Sequence, residues 1–462
     1  MRNKLFKSTQ FLTLRHLIRW TTITVPIAFV IGSMIALFLW LLNLAITFRF
    51  AHQWILYFLP LAGIAIYFSY KWWGSNAAGG NNLIMDEIHN PGGGVPKSMA
   101  PLILITTVVT QLFGGSVGRE GSAVQIGGSL AQMFSKIFRL NTEDNRVILT
   151  AGIAAGFGAV FGTPLTGAIF AMEVLTVGRI QYTALIPCLV AAIVGDVTVL
   201  SWGVHHETYH IAIVPQGVNI LSAYLPLDVV LLSKVIVASI AFGLSSYLFA
   251  EAVHGVKSVF NRFFGQKWLI PFMGGLVVIC LTLIIGKPDY LGLGVRAPYP
   301  GAITISSAFN SGGAHPMSWL WKTIYTTITL GTGFKGGEVT PLFYIGSTLG
   351  NTLSTLMNAP VSLFAALGFI AVFAGATNTP LASTVMGIEL FGSEYALFFA
   401  VACFTAYLFS GESGIYSSQR IAVPKIFDDE DDPIESIAEA EHRRQKYVRK
   451  KIAKYRINRK KE

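Results

Sequence analysis

The chain is short of charge. Only 13% of its 462 residues are Asp, Glu, Lys or Arg, against about 25% in soluble domains, while 53% are hydrophobic and the mean hydropathy is +0.57. That balance excludes a water-soluble enzyme and a nucleic-acid-binding domain, and leaves a polytopic membrane protein. Cysteine is scarce as well. Cys188, Cys280 and Cys403 sit in separate apolar runs, an odd number without metal-ligand spacing. They read as small core residues, and neither a metal nor a cofactor is expected. No small-residue cleavage site follows the basic start MRNKLFKSTQFLTLRHLIRW, so a cleaved secretory signal is not expected either.

What the chain does have is apolar runs: Ile23–Ala45, Trp54–Phe68, Leu185–Leu200, Val229–Phe249 and Leu269–Ile285. Several approach the roughly 20 residues that span a bilayer; others are too short. Trp54, Trp72, Trp73, Trp319 and Trp321 read as interfacial anchors. The net charge is +10, and residues 443–462 alone carry eleven Lys/Arg against Glu462, after an acidic run at Asp428–Asp432. The N-terminus is basic too, so the positive-inside tendency places both ends in the cytoplasm of a multi-pass cell-membrane protein. The tail reads as a solvated helix or disordered segment, with contact to anionic lipid headgroups as the sharper alternative.

Residues 114–128, GGSVGREGSAVQIGG, place Arg119 and Glu120 between apolar segments, where a charge costs roughly 2.5–3.5 kcal/mol on the most lenient scale. An internal repeat explains the setting. GIAAGFGAVFGTPLTGAIFAMEVL (152–175) aligns without a gap on GFIAVFAGATNTPLASTVMGIELF (368–391). Each copy has Thr-Pro-Leu and then a glutamate: Thr163-Pro164-Leu165 with Glu173, Thr379-Pro380-Leu381 with Glu389. Upstream, IGGSL (126–130) matches IGSTL (345–349), each after a glycine-rich turn bearing a glutamate. The offset far exceeds the roughly 20–50-residue unit of soluble solenoids; duplicated halves of a transporter fit it. Thr163 and Thr379 read as N-caps with proline in the first turn, Pro341 as a further helix start, and Gly118 and Gly121 as breaks before a helix beginning near Glu120. Helices starting in mid-membrane aim their positive ends and free N–H groups at one place, which binds an anion. Glu120 is itself an anion able to occupy that place; mutual neutralisation by Arg119 is the alternative.

At GREG (118–121), GGEVTP (336–341) and Tyr416 in SGIYSS, the sequence resembles the CLC family of chloride channels and anion/proton antiporters, over roughly residues 20–420. The resemblance implies an all-α integral membrane fold of tilted and broken helices in two inverted repeats, a homodimer with one pathway per subunit, Glu120 as gating and proton glutamate, and Tyr416 at the inner end of the pathway. The departures are informative. Where the family has GSGIP, this chain has Gly80-Asn81-Asn82-Leu83-Ile84; GREGP becomes GREGS with Ser122; GxFxP becomes Gly337-Glu338-Val339-Thr340-Pro341. The paired glutamates of chloride/proton exchangers read Glu173-Val174 here. Together these resemble the CLC-F branch, fluoride/proton antiporters. Asn81 offers two N–H donors and a carbonyl where serine offers one hydroxyl, suiting a small, tightly hydrated anion. The expected anion site comprises Asn81, Gly118, Arg119, Gly121, Ser122, Val339, Thr340 and Tyr416, with Glu338 as second proton-handling glutamate.

The expected organisation is a basic amphipathic helix (1–20), two membrane repeats (21–215 and 216–425) and a charged cytoplasmic tail (426–462). The expected activity is fluoride export in exchange for protons; a passive chloride/fluoride channel and a chloride/proton antiporter remain alternatives. His206-Glu207-Thr208-Tyr209-His210 fits the H-E-x-x-H zinc-protease pattern, but Gly203 and IAIVP mark a loop with no third ligand, so no metal and no enzyme are expected. Asp86 and Glu87 read as an ordinary helix-capping pair, and Glu173 and Glu389, placed alike in both repeats, as structural hydrogen-bonding groups.

Overall fold

Glycine and proline break the apolar chain into fifteen α-helices among the described residues of the computed structural model, which are 9–212, 228–425, 435–436 and 439. The first half holds α1 (Thr9–Ala51), α2 (Leu59–Trp73), α3 (Asn81–His89), α4 (Met99–Leu112), α5 (Glu120–Ile137), α6 (Thr142–Phe161), α7 (Pro164–Glu173) and α8 (Leu185–Ser201). The second holds α9 (Val229–Phe263), α10 (Leu269–Ile285), α11 (Ser318–Gly331), α12 (Val339–Met357), α13 (Val361–Thr377), α14 (Pro380–Phe391) and α15 (Ala396–Phe409). Among the described residues four helical stretches are long and apolar enough to cross a membrane, Thr13–Ala51, Gln53–Trp73, Tyr182–Ser201 and Val229–Phe263. The apolar run Leu269–Ile285 falls among the shorter apolar helices.

Packing repeats as the sequence does. α1 lies on α6 and α8 as α9 lies on α13 and α15; α5 packs on α6 as α12 on α13; α7 packs on α8 as α14 on α15. The central helix α13, and α6 beyond its charged first turn, are almost wholly buried and apolar on every side, as helices enclosed by others are. One departure from all-α is a small sheet. Thr176–Val177 (β1) pairs in parallel with Arg420–Ile421 (β2), which pairs antiparallel with Glu435–Ser436 (β3).

Two expectations about helix starts are corrected. Thr163 and Thr379 hold the N-cap positions, yet neither side chain caps its helix. The caps come from the opposite repeat. Glu389 accepts from Leu165 N (2.9 Å), Thr166 N (2.8 Å) and Thr166 Oγ1 (2.6 Å) at the start of α7, and Glu173 accepts from Leu381 N (3.0 Å) and Ala382 N (2.7 Å) at the start of α14. A carboxylate is a stronger acceptor than a hydroxyl and complements the helix dipole. These two positive ends are therefore already satisfied and do not serve a transported anion. Helix α12 begins at Val339, two residues before Pro341, whose missing N–H is still within the unbonded first turn.

Cys188 and Cys403 are buried, but Cys280 is exposed on α10; that helix is apolar all round, so composition alone cannot tell its core face from its lipid face. Trp54, Trp72 and Trp73 are exposed, as anchors should be. α1 continues unbroken from Thr9 through residue 20, so the basic start is not a separate helix there. The junction between the repeats at 215/216, residues 1–8 and nearly all of the charged tail lie outside the described residues.

Candidate functional site

The two glycine-rich turns meet back to back. Gly118 N donates to Gly337 O (2.5 Å) and Gly337 N to Gly118 O (2.9 Å), an antiparallel bridge that sets the first turns of α5 and α12 against each other. Only glycine permits it: a Cβ on Gly337 would stand 2.6 Å from Gly121 N.

Glu120 fills one side of this junction and is 1% exposed. Its carboxylate accepts from Thr340 N (2.9 Å), from Thr340 Oγ1 (2.6 Å to each oxygen) and from Arg119 N (3.1 Å). Arg119 Nε stands 3.4 Å from Oε1. The charge in the membrane is thus compensated twice, by Arg119 and by the N-terminus of the other repeat. A transported anion has the same needs as this carboxylate, and the same donors meet them.

Across Gly121 lies a second group of side chains. A Cβ there would fall 3.1 Å from Asn81 Nδ2 and 3.3 Å from Glu338 Oε2. Asn81 opens α3 after Gly80, whose φ is +59°. Asn81 Oδ1 and Glu338 Oε2 are both buried without a protein partner, a costly arrangement unless a proton or a further ligand is shared there. Tyr416 is buried, and two residues on, Ser418 N donates to Asn82 Oδ1 (3.1 Å), tying its segment to α3. The structure thus gathers Asn81, Gly118, Arg119, Glu120, Gly121, Glu338 and Thr340 around one junction, with the buried Tyr416 on the segment that is bonded to α3. Val339 is buried beside them. Ser122 differs, because its hydroxyl is engaged with Thr107 Oγ1 of α4 at 2.7 Å.

Above Arg119 opens a vestibule of about 320 Å³ lined by Arg49, Arg119, Arg296, His205, His206 and Glu207, among others. A narrower cavity of about 20 Å³ adjoins Arg119, Glu120 and Thr340, walled by Phe161, Phe343 and Phe369, the last two stacked at 3.9 Å. Residues 204–212 are not helical, so the two histidines of HETYH share no helix face. His206 Nε2 instead meets Asp196 Oδ1 at 3.2 Å. Among the described residues no group of three or more His, Cys, Asp or Glu could hold a metal. Glu87 lies off the junction, accepting from the amides of Gly92, Gly93 and Gly94. Sequence reasoning missed Arg49 and Arg296 of the vestibule and the phenylalanine wall, whose residues are scattered along the chain without a shared motif.

The chain matches the voltage gated chloride channel family over residues 61–411. It belongs to the CLC family. A chloride/fluoride channel protein of Pseudomonas syringae pv. tomato is 45% identical over 92% of this chain and 91% of that protein. The crystal structure of a CLC-type fluoride/proton antiporter superposes with a TM-score of 0.81 at 31% identity, covering 90% of this chain and 100% of that one. A slow cyanobacterial Cl⁻/H⁺ antiporter shares the fold at TM-score 0.70 and 20% identity, over 85% and 94%. The CLC fold fixes the reading of the broken helices as two inverted membrane repeats.

Proposed function

We propose that this chain exports fluoride across the membrane in exchange for protons, with Glu120 as the group that alternately takes the place of the anion and carries a proton. The observation that carries the reading is the buried carboxyl of Glu338, with one oxygen unpartnered, across Gly121 from Asn81 at the same junction that holds Glu120. A passive pore needs no second acid there. The buried Val174 stands where a chloride/proton exchanger's second glutamate is expected by resemblance, so Glu338 is the available acid on the other side of the gate. Asn81, Thr340 and the free amides of α5 and α12 replace the water of a small anion, and Tyr416 closes the opposite end.

The names of the similar proteins divide between a channel and an antiporter, and Glu338 favours the antiporter. Residues 21–215 and 216–425 act as the two repeats, with both termini in the cytoplasm and the Arg119 vestibule facing outward. A second copy of the chain is the proposed partner, along the α7 and α14 faces that include exposed Leu165. Paired fluoride and proton fluxes from liposomes, with chloride competing, test the function. Fluoride moving down its gradient drives protons the opposite way in a fixed ratio; fluoride flux with no proton movement would leave the channel as the answer.

A further inference from the structure

Glu120 is buried below the vestibule. At 1% exposure it touches no bulk solvent, and the cavity beside it is lined chiefly by Phe161, Val295, Ile305, Phe343, Phe369 and Leu390. A titratable side chain in that wall would carry a proton between the buried Glu120 and the outside. Among the residues lining this cavity the carboxylates are Glu120 and Glu207, and Glu207 also lines the open vestibule. Its side chain is 40% exposed, and it lines both the vestibule on one side and the small cavity beside Glu120 on the other. The cavity's volume of about 20 Å³ holds one water, which takes roughly 10–15 Å³. Arg119, Glu120, Glu207, Tyr209 and Thr340 surround that space, enough for the two to four polar partners a buried water requires.

We propose that Glu207 is the outer proton station of this transporter, linked to Glu120 through a single water in the small cavity. This inference rests on the antiport reading above. A proton leaves the Glu120 carboxyl for the water, the water passes one of its own to the Glu207 carboxylate, and Glu207 releases it to the vestibule; the reverse sequence carries a proton in. Glu207 is held for this work by Arg296, whose Nε stands 3.8 Å away and whose Nη1 donates to Asn43. Charged and titratable groups facing it come from every adjacent element: Arg49 of α1, Arg119 and Glu120 at the start of α5, Arg296 of the α10–α11 connection, and His205, His206 and Tyr209 of its own segment. The segment itself is seated by the His206–Asp196 contact and by Ala212 N donating to Ser362 Oγ at 3.2 Å. The HETYH stretch between the repeats thereby gains a role in proton passage that its zinc-site pattern does not describe.

The test uses the full chain in liposomes, recording fluoride efflux and proton uptake together across a range of fluoride concentrations, with thermal melting of each variant. E207Q lowers the maximal coupled rate at least about tenfold, leaves the half-saturating fluoride concentration and the melting temperature unchanged, and E207D recovers most of the rate. A maximal rate within twofold of wild type overturns the relay. So does a raised half-saturating fluoride concentration at an unchanged maximal rate, which would make Glu207 an electrostatic guide for the anion. A wild-type chain that moves fluoride without protons overturns the antiport reading and the relay with it; a proton-coupled wild type beside an unaffected E207Q overturns the relay alone.

Discussion

Gly121→Ala places a methyl group where the two sides of the site meet. The new Cβ would lie 3.0 Å from Gly337 Cα, 3.1 Å from Asn81 Nδ2 and 3.3 Å from Glu338 Oε2, so each neighbour must retreat by a few tenths of an ångström. Overpacking of this kind costs about 1–3 kcal/mol. Gly337 retreats only by stretching its bonds to Gly118, now 2.5 and 2.9 Å, and losing one adds about 0.5–1.5 kcal/mol. The total, about 1.5–4.5 kcal/mol, corresponds to roughly a tenfold to thousandfold loss if it falls on the anion-loaded site, since about 1.4 kcal/mol is a factor of ten. Fluoride efflux from liposomes, measured with a selective electrode, reads that loss, and thermal melting in detergent separates it from misfolding. Gly93→Ala is the control, because the nearest atom to its Cβ would be Glu87 Oε2 at 3.9 Å; both readouts should stay at wild-type values. Wild-type fluoride flux in Gly121→Ala would refute the placement of Asn81 and Glu338 on the transport path.

Glu120→Gln and Glu120→Ala should both abolish proton movement, since neither side chain exchanges a proton; undiminished coupled flux in a pH-dye assay would remove Glu120 from the gate. Asn81→Ser should erode fluoride-over-chloride preference by one to two decades, the roughly 1.5–3 kcal/mol of a hydrogen bond to a charged group, in competitive flux. Glu338→Gln should impair coupling more than anion preference, and an unchanged proton-to-fluoride ratio would count against its role. Glu173→Ala strands two amides and should cost about 2–6 kcal/mol at about 1–3 per unsatisfied group. Glu389→Ala should cost less, because Glu389 is the more exposed of the two caps; equal or negligible shifts in melting temperature would contradict the crossed capping.

Much of this was legible beforehand because the informative residues are punctuation. Gly118, Gly121, Pro164, Pro380 and the repeated Thr-Pro-Leu mark helix ends directly, and Glu120 is the first residue of such a helix. The pairing of Gly118 with Gly337 and the crossing of Glu173 and Glu389 were not legible, because each joins positions some two hundred residues apart and depends on how the halves are turned toward one another. Thr163 and Thr379 misled for that reason: local rules assign a cap to the nearest hydroxyl, and tertiary structure supplied a carboxylate instead. Cys280 misled because α10 is apolar on every face. Ser122 was expected among the anion donors, but its hydroxyl pairs with Thr107 of a neighbouring helix, which no local pattern names.

The crossed carboxylates also constrain how the protein is made. Chains are synthesised from the N-terminus at about 5–20 residues per second, so α7 is complete on the order of ten to forty seconds before Glu389 leaves the ribosome. Throughout that interval the amides of Leu165 and Thr166 lack the acceptor they have in the finished fold, and Glu173 lacks both of its donors. Lipid offers neither. The end of the first repeat therefore has to wait, at the membrane surface or beside the insertion machinery, until the second repeat arrives. Both helices then seat in one late step, and a chain truncated before residue 380 leaves a carboxylate and two amides with no place in the bilayer.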